Sequence, residues 1–332
     1  MNEKISIRRR FGLLLLAALL IWSRGEAQEK LKVAYSSVDA PNAIWYLAKD
    51  KGFYQKHGLD AELIFIPSTT TTVASILAGD VKIGNTSGGA AASAAVAGSG
   101  LVMTGCFINT LPYELVVHES IRSAEDLKGK SLGISRVGSA SDVAARALLR
   151  GLGLEPDKDV AILQVGGSPE RAAAFRTGRI AGFPSPPGII HLAKGIPHRI
   201  LISTADFPKR FDFPYVCAST IKSYLVSHRD TVRRILMTLI VATHFFKTRK
   251  EESKKIMAKY TRQNDEAYLE SSYNINAKLY ERVPLVTREG VEIQIKDAIA
   301  RKPGAKLRLE EMVDDSIVVE LEKSGYIDRV YR

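Results

Sequence analysis

The sequence contains little cysteine and none of the common catalytic or metal-binding motifs. Cys106 and Cys217 are the only cysteines among 332 residues, and the six histidines show no metal-binding spacing such as H-E-x-x-H. P-loop, G-x-G-x-x-G and G-x-S-x-G sequences are also missing. These absences argue against nucleotide-dependent enzymes, zinc proteases and serine hydrolases. We therefore predict no catalytic residue, no cofactor and no metal site.

The two cysteines leave two alternatives open. An oxidising compartment would permit a disulfide between Cys106 and Cys217. Two isolated cysteines, however, do not form the framework that marks small disulfide-rich proteins. We favour the interpretation that both are small buried residues, and the disulfide stays open.

Long hydrophobic runs are scarce as well. One extends from Phe11 to Trp22, directly after three consecutive arginines. It is shorter than the about 20 apolar residues of a membrane span and has the length of a signal-peptide core, about 7 to 15 residues. Gly25 and Ala27 supply the small residues of a cleavage site. We predict a signal peptide at residues 1–27, cleaved near Ala27, and a periplasmic mature protein; an uncleaved anchor is the alternative.

Acidic residues are outnumbered by basic ones. The formal net charge is +11, of which residues 1–27 carry +3, so the mature chain has about +8. Lysine and arginine alternate with aspartate and glutamate throughout instead of gathering in one arm or patch. We interpret the excess as a solvated surface and predict no nucleic-acid partner.

Strands and helices alternate along the chain. The about 305 mature residues exceed one usual core, so we expect two lobes. The hydrophobic pattern predicts ten strands, at residues 32–35, 62–66, 81–84, 101–107, 113–118, 131–134, 160–165, 180–183, 199–203 and 215–220. Helices are predicted between the first four strands and again between 131–134 and 180–183. From Arg229 onwards the chain is predicted to be helical. This alternation implies parallel βαβ units and the α/β class.

Small polar residues follow nearly every predicted strand. Ligands bind beyond the carboxyl ends of the strands in an open α/β sheet, and helix N-termini there favour anions and polar oxygens. The loops of both halves would therefore line one crevice, although each such residue could equally be an ordinary helix cap. Arg136 is the only cation in these loops and could pair with a carboxylate, sulfonate or phosphate, or lie at the surface. Trp45 and Tyr113 could form walls of the crevice or pack in the core.

Six ordered stretches carry a family resemblance. They are LAKDKGFYQKHGLDAELIFIP (47–67), LAGDVKIGNTSGGA (77–90), NTLPYELVV (109–117), SAEDLKGKSLGIS (123–135), DKDVAILQVGG (157–167) and LEKSGYID (321–328). They span essentially the whole mature chain, and the ordered set is specific where a single piece would be weak. On these residues the chain resembles bacterial ABC-transporter substrate-binding proteins of the nitrate, sulfonate and taurine type, the NMT1/THI5-like or SsuA-like family.

The resemblance implies a type II periplasmic-binding-protein fold, a Venus flytrap of two α/β lobes with a ligand cleft between them. The lobes would comprise residues 28–112 with 215–332 and residues 113–214, joined at the crossings Asn109–Tyr113 and Phe213–Val216. Ten ligand contacts are implied: Ser37, Asn42, Ser68, Thr69, Asn85, Thr86, Ser87, Ser135, Ser139 and Ser168. The predicted site also includes Trp45, Asn109, Tyr113 and Arg136. The loop Ser185-Pro186-Pro187 departs from the relatives' pattern and is assigned no contact.

The resemblance further implies a monomeric receptor without enzyme activity. It would bind a small anionic or heteroaromatic organic molecule and deliver it to an ABC permease with its ATPase. Two other classes stay open. A THI5-like pyrimidine synthase would use a cysteine-rich iron-binding segment, which two cysteines and an export signal disfavour. A sensory module would instead dock, with its ligand bound, on a signalling protein.

Overall fold

The computed structural model describes residues 29–188 and 195–332, so the predicted signal peptide and His191 lie outside the described residues. Within those two ranges no helix combines the length and the apolar character that crossing a bilayer requires.

The first segment of the chain alternates between strands and helices as predicted. Its elements are β1 (Glu29–Tyr35), α1 (Ala43–Asp50), α2 (Phe53–Lys56), β2 (Leu59–Phe65), α3 (Thr69–Ala78), β3 (Ile83–Thr86), α4 (Gly88–Ala95) and β4 (Leu101–Thr110). Strand β1 ends in three consecutive buried residues because it lies inside a sheet with helices on both faces. Helix α1 stops before Gly52, whose φ of 68° is a left-handed conformation that glycine adopts readily.

The second segment repeats this alternation. Its elements are β5 (Glu114–His118), β6 (Ser131–Ile134), α5 (Ala140–Gly151), β7 (Ala161–Gln164), α6 (Ser168–Arg176), β8 (Gly182–Ser185) and β9 (His198–Ser203). The predicted strands 160–165 and 180–183 are thus present with shifted ends, which is the usual uncertainty of boundaries read from a pattern.

The third segment consists of one strand followed by helices. Its elements are β10 (Asp212–Ile221), α7 (Lys222–Ser227), α8 (Arg229–Thr248), α9 (Lys250–Thr261), α10 (Glu266–Leu279), α11 (Arg288–Arg301), α12 (Ser316–Lys323) and α13 (Tyr326–Val330). The predicted helical region from Arg229 is confirmed. Val232, Ile235, Leu239 and Phe246 of α8 are all buried, as their helical spacing requires.

Two five-stranded sheets organise the described residues. The first has the order β2-β1-β3-β10-β4 and the second β7-β6-β8-β5-β9. Strands β1, β2 and β3 pair in parallel, and so do β6, β7 and β8, which confirms the predicted βαβ units. Strand β10 is antiparallel to both β3 and β4, and β5 is antiparallel to both β8 and β9. We call each sheet with its helices a lobe: the first lobe contains the first sheet, and the second lobe the second sheet.

The chain passes between the lobes twice, through adjacent segments. The amide of Leu111 donates to the carbonyl of Phe211 at 3.3 Å, and Thr110 Oγ1 donates to the same carbonyl at 2.9 Å. The two connections are therefore held side by side, close to the crossings implied by the resemblance. Strand β4 runs three residues beyond its predicted end at Phe107, into the first crossing.

A disulfide joins Cys106 to Cys217. The sequence favoured two separate buried residues, and this interpretation is wrong because β10 inserts beside β4 with these two residues as register partners. Every described residue of the second sheet lies between the two cysteines in the chain. The bond thus fastens together the two strands from which the second lobe projects.

Candidate functional site

A small cavity of about 40 Å³, lined mostly by buried residues, lies at the carboxyl ends of strands from both sheets. Eight of the predicted site residues line it: Ser37, Asn42, Ser68, Thr69, Tyr113, Ser135, Ser139 and Ser168. Asp39, Arg171 and Tyr215 also line it, and sequence reasoning did not identify them as site residues. The polar loops of both halves therefore meet at one place, as the parallel topology predicts.

Several lining hydroxyls also cap helices. Ser68 Oγ accepts from the amide of Thr70 at the start of α3, and Ser139 Oγ accepts from the amide of Asp142 at the start of α5. The two interpretations of these serines, as caps and as lining residues, are therefore compatible. The same strand-to-helix turn that needs a cap brings the cap to the cavity.

Ser168 differs from the prediction in its local role. A serine directly before a proline is typical of an N-cap followed by the first helical residue, but here Gly167 is the N-cap, Ser168 is the first helical residue and Pro169 follows it. Its hydroxyl is consequently not used as a cap and donates instead to Asp39 Oδ2 across the cleft, at 2.6 Å. This hydrogen bond connects the two lobes directly.

Asp39 is the acidic group of the cavity. It is 4% exposed, and its Oδ2 also accepts from Ser37 Oγ at 2.7 Å. The available signal was its place in the polar loop after β1, directly before the turn that contains Pro41. Sequence reasoning passed over it because serine and asparagine dominate the other loops.

Among the described residues, Arg171 is the cation that lines the cavity, and the predicted Arg136 does not line it. Arg136 is exposed and does not line the cavity, whereas Arg171 is 3% exposed and donates from its terminal Nη2 to Ser168 Oγ at 3.1 Å. A cation in the first turn of a helix is disfavoured by the helix dipole, which was the signal that the sequence offered. Among the described residues neither Arg171 nor Asp39 takes part in an ion pair.

Two polar atoms of lining residues are buried without a hydrogen-bond partner among the described residues: Arg171 Nε and Asn42 Oδ1. Such atoms are uncommon in native proteins because each loses its hydration without compensation. One is a donor in the second lobe and the other an acceptor in the first. A molecule in the cavity could satisfy both.

Two tyrosines of the crossings line the same cavity. Tyr215 OH donates to Tyr113 OH at 3.2 Å, and the rings meet edge to face. Burial raises the pKa of both phenols, while the nearby Arg171 guanidinium partly opposes this for Tyr113. Both are therefore neutral hydroxyl groups at physiological pH and can donate as well as accept.

The remaining predicted residues do not line the cavity. Asn85, Thr86 and Ser87 lie behind it, where they bond to Ser36, Ser219 and Thr69 respectively. Asn85 and Ser87 thus bond to the lining residues Ser36 and Thr69, and the direct contact of all three residues with ligand stays a prediction.

Trp45 and Asn109 do not line the cavity either, and their contact with ligand stays a prediction. Trp45 is fully buried in α1 and belongs to the hydrophobic core. Asn109 Nδ2 donates to the carbonyl of Leu285 at 2.7 Å, and its Oδ1 accepts from the amide of Thr287 at 3.0 Å. The side-chain amide of Asn109 thus holds β4 to the segment before α11.

An outer groove adjoins the cavity. It measures about 670 Å³ and shares Asp39 and Ser168 with the cavity wall. Aromatic side chains of the first lobe, Tyr35, Phe65 and Tyr260, face small residues of α6 across it. The Asp39–Ser168 hydrogen bond therefore stands between the cavity and the groove.

The lobes also approach closely away from the cavity. Thr70 Oγ1 donates to the carbonyl of Val137 at 3.2 Å. A Cβ atom added to Gly89 of α4 would lie 2.8 Å from Val143 Cγ2 and 3.0 Å from the carbonyl oxygen of Gly138, both in the second lobe. Glycine is needed here because the lobes are closed on one another.

Comparison with known proteins agrees with this architecture. A Brucella abortus (strain 2308) protein, named as a proposed binding protein, is 26% identical over 276 residues, which is 78% of this chain and 80% of the relative. The periplasmic aliphatic sulphonate binding protein SsuA of Escherichia coli superimposes with a TM-score of 0.68 at 20% identity, covering 86% of this chain and 92% of SsuA. The periplasmic nitrate-binding protein NrtA of Synechocystis PCC 6803 gives 0.69 at 13% identity, covering 92% and 91%.

These likenesses confirm the predicted fold class, two α/β lobes of the periplasmic-binding-protein type. In addition, the family model described as NMT1/THI5 like matches residues 41–253, which is more than half of the chain.

Proposed function

The chain belongs to the NMT1/THI5-like family, and from this premise we propose that it is an extracytoplasmic solute-binding receptor of an ABC importer. Its ligand is a small organic molecule with an anionic or heteroaromatic group. The observation that carries the proposal is the small polar cavity, to which both lobes contribute side chains. A ligand there contacts both lobes at once, and this differential affinity is what drives closure.

The lobes divide at residues 112/113 and 214/215 in this proposal, and the paired crossings act as the hinge. The receptor is a monomer that presents its closed form to a membrane permease with its ATPase. It is exported by the signal peptide at residues 1–27 and works in the periplasm after cleavage near Ala27.

The ligand-contact set of this proposal contains the eight predicted residues that line the cavity, together with Asp39, Arg171 and Tyr215. The cavity is small, because a single water molecule already needs about 10–15 Å³ of cavity volume. The closed form therefore has room for only a few non-hydrogen atoms, and a larger ligand would have to extend towards the outer groove.

The test uses the purified mature protein and a broad panel of anions and metabolites. We expect at least one compound to raise the melting temperature and reduce the radius of gyration in small-angle scattering, because ligand stabilises the closed form. Mass spectrometry of co-purified small molecules supplies the first compounds to try. The absence of any shift across the panel, with nothing co-purified, would sink the proposal.

The proposal includes the absence of enzyme activity. The iron-dependent synthase considered from the sequence would need cysteine ligands, and the two cysteines of this chain are bonded to each other. Stoichiometric iron in the purified protein, or turnover of any bound compound, would count against a receptor and in favour of an enzyme.

A further inference from the structure

We propose that Asp39 makes this receptor reject simple anions, so that its ligand carries an N–H donor group, in particular an ammonium, as well as an anionic group. This inference rests on the proposed receptor function and assigns the chemistry of its ligand. It follows from the distribution of charged and unpaired polar groups around the cavity.

The first lobe supplies hydrogen-bond acceptors that an N–H donor of the ligand could satisfy. The Asp39 carboxylate is buried and, within residues 29–188 and 195–332, is bonded only to hydroxyl groups, through Oδ2. Asn42 lies on the same turn, where its backbone N–H donates to the carbonyl of Asp39 at 2.9 Å, and its side-chain Oδ1 has no hydrogen-bond partner among the described residues. An N–H group of a ligand between them could satisfy both acceptors.

The second lobe supplies a hydrogen-bond donor that an acceptor of the ligand could satisfy. Arg171 is buried and donates to one hydroxyl, and its Nε has no hydrogen-bond partner in the part of the chain that the structure describes. A guanidinium is always charged in proteins and prefers a carboxylate or a similar oxyanion. An anionic group of the ligand would meet this requirement.

A simple anion meets only half of these requirements. One hydroxyl group, that of Ser168, separates the guanidinium of Arg171 from the carboxylate of Asp39. An anion on Arg171 would thus lie close to a second negative charge in a site with little water, where like charges repel strongly. It would also leave Asn42 Oδ1 unpaired. A ligand with both groups removes both penalties.

The test compares matched pairs of small acids by isothermal titration calorimetry. Each pair is an amino-carboxylate or amino-sulfonate of two to four carbons and the same acid without its amino group. We expect the wild type to bind the amino compound of at least one pair about tenfold more tightly or better, since a hydrogen bond to a charged group is worth about 1.5–3 kcal/mol. Asp39→Asn should reduce this preference about tenfold, whereas Asp60→Asn, on β2 outside the cavity, should leave it unchanged.

The outcomes separate the two proposals. If the wild type binds the deaminated acids as tightly, or if folded Asp39→Asn keeps the preference, the role of Asp39 is wrong while the receptor function stands. If no pair binds, the inference is tested with the compound that binds from the broad panel or co-purifies with the protein. A compound without an N–H donor overturns the inference, and a compound with both an N–H donor and an anionic group supports it. No ligand at all overturns the receptor function and this inference together. The wild-type comparison needs no variant, so it holds even if Asp39→Asn does not fold.

Discussion

The two lobes are built on the same alternation of strands and helices, but they contribute differently to the molecule. The first lobe holds the donor-seeking Asp39 and Asn42, both ends of the chain's described part and the long C-terminal helices. The second lobe is an insertion between Cys106 and Cys217 and brings the acceptor-seeking Arg171. Because the complementary charges lie on opposite lobes, only the closed arrangement brings them together. This difference between the lobes explains how the binding of one ligand in the cavity could affect both lobes.

The largest expected difference between the lobes appears at alkaline pH. Tyr46, Tyr54, Tyr268 and Tyr280 are four of the buried tyrosines of the first lobe, and burial is the largest cause that raises the pKa of each. A raised folded-state pKa gives stability that is complete below the unfolded value of about 10 and is lost as pH rises above it. We expect a loss of about 5 kcal/mol in the free energy of unfolding by pH 11.

The measurement is the urea midpoint as a function of pH, followed by the fluorescence of Trp45, which lies in the first lobe. Tyr54→Phe is the matched control because the Tyr54 hydroxyl has no partner among the described residues. This variant should keep its stability at neutral pH and lose less above pH 10. A pH profile identical to that of the wild type would contradict the assignment.

Removing the disulfide tests whether the second lobe depends on the first for its attachment. We expect the double variant Cys106→Ala, Cys217→Ala to lose about 2–5 kcal/mol of unfolding free energy, since the bond spans 111 positions of the chain. Equilibrium urea unfolding with and without reductant checks this. Reductant should lower the midpoint of the wild type and leave the variant unchanged; a variant as stable as the oxidised wild type would refute the expectation.

A smaller change should prevent the lobes from meeting. Gly89→Val places side-chain atoms where Val143 and Gly138 of the second lobe lie in the closed form. Overpacking of about 1–3 kcal/mol should weaken ligand binding roughly 5- to 150-fold and keep the scattering radius at its open value.

Two further variants test whether the clash with the second lobe causes the loss of affinity. Val143→Ala added to Gly89→Val should restore part of the affinity, because it removes the methyl group nearest to the clash. Gly100→Ala should be silent, since no atom lies within 4 Å of the added carbon. If Gly89→Val binds normally, closure does not need this contact.

The smallest expected effect concerns the hydrogen bond between the lobes. Ser168→Ala removes the donor to Asp39 Oδ2, which should shift the ligand-free protein towards the open form by about 1–3 kcal/mol. Small-angle scattering without ligand should show a larger radius than for the wild type. Ser227→Ala, an exposed serine of α7, serves as the control. Equal radii for all three proteins would mean that the bond does not hold the lobes.

Much of the candidate site could be predicted because polar residues after strands are a local signal. Ser37, Ser68, Ser135 and Ser139 follow strands that the hydrophobic pattern identifies, and each lines the cavity. Arg136 has the same local signal and is exposed. The local sequence pattern shows at which end of a strand a loop lies, but it does not show whether a side chain of that loop faces the cleft.

Asp39 and Arg171 could not be predicted in this way. Their roles depend on a contact between Asp39 and Ser168, which are 129 positions apart in the chain. The local signal at Arg171 is its unfavourable position in the first turn of α6, and this signal does not indicate that the turn will be buried against the opposite lobe.

The sequence by itself determined the order of strands and helices, the export signal as a prediction and the family resemblance. Periodicity, capping residues and apolar runs act over a few neighbouring residues, so they are readable without a fold. The tertiary structure alone decided the register that joins Cys106 to Cys217 and the meeting of Asp39, Ser168 and Arg171. These depend on how β10 returns to the first sheet and how the lobes close, which is settled by the packing of the whole chain.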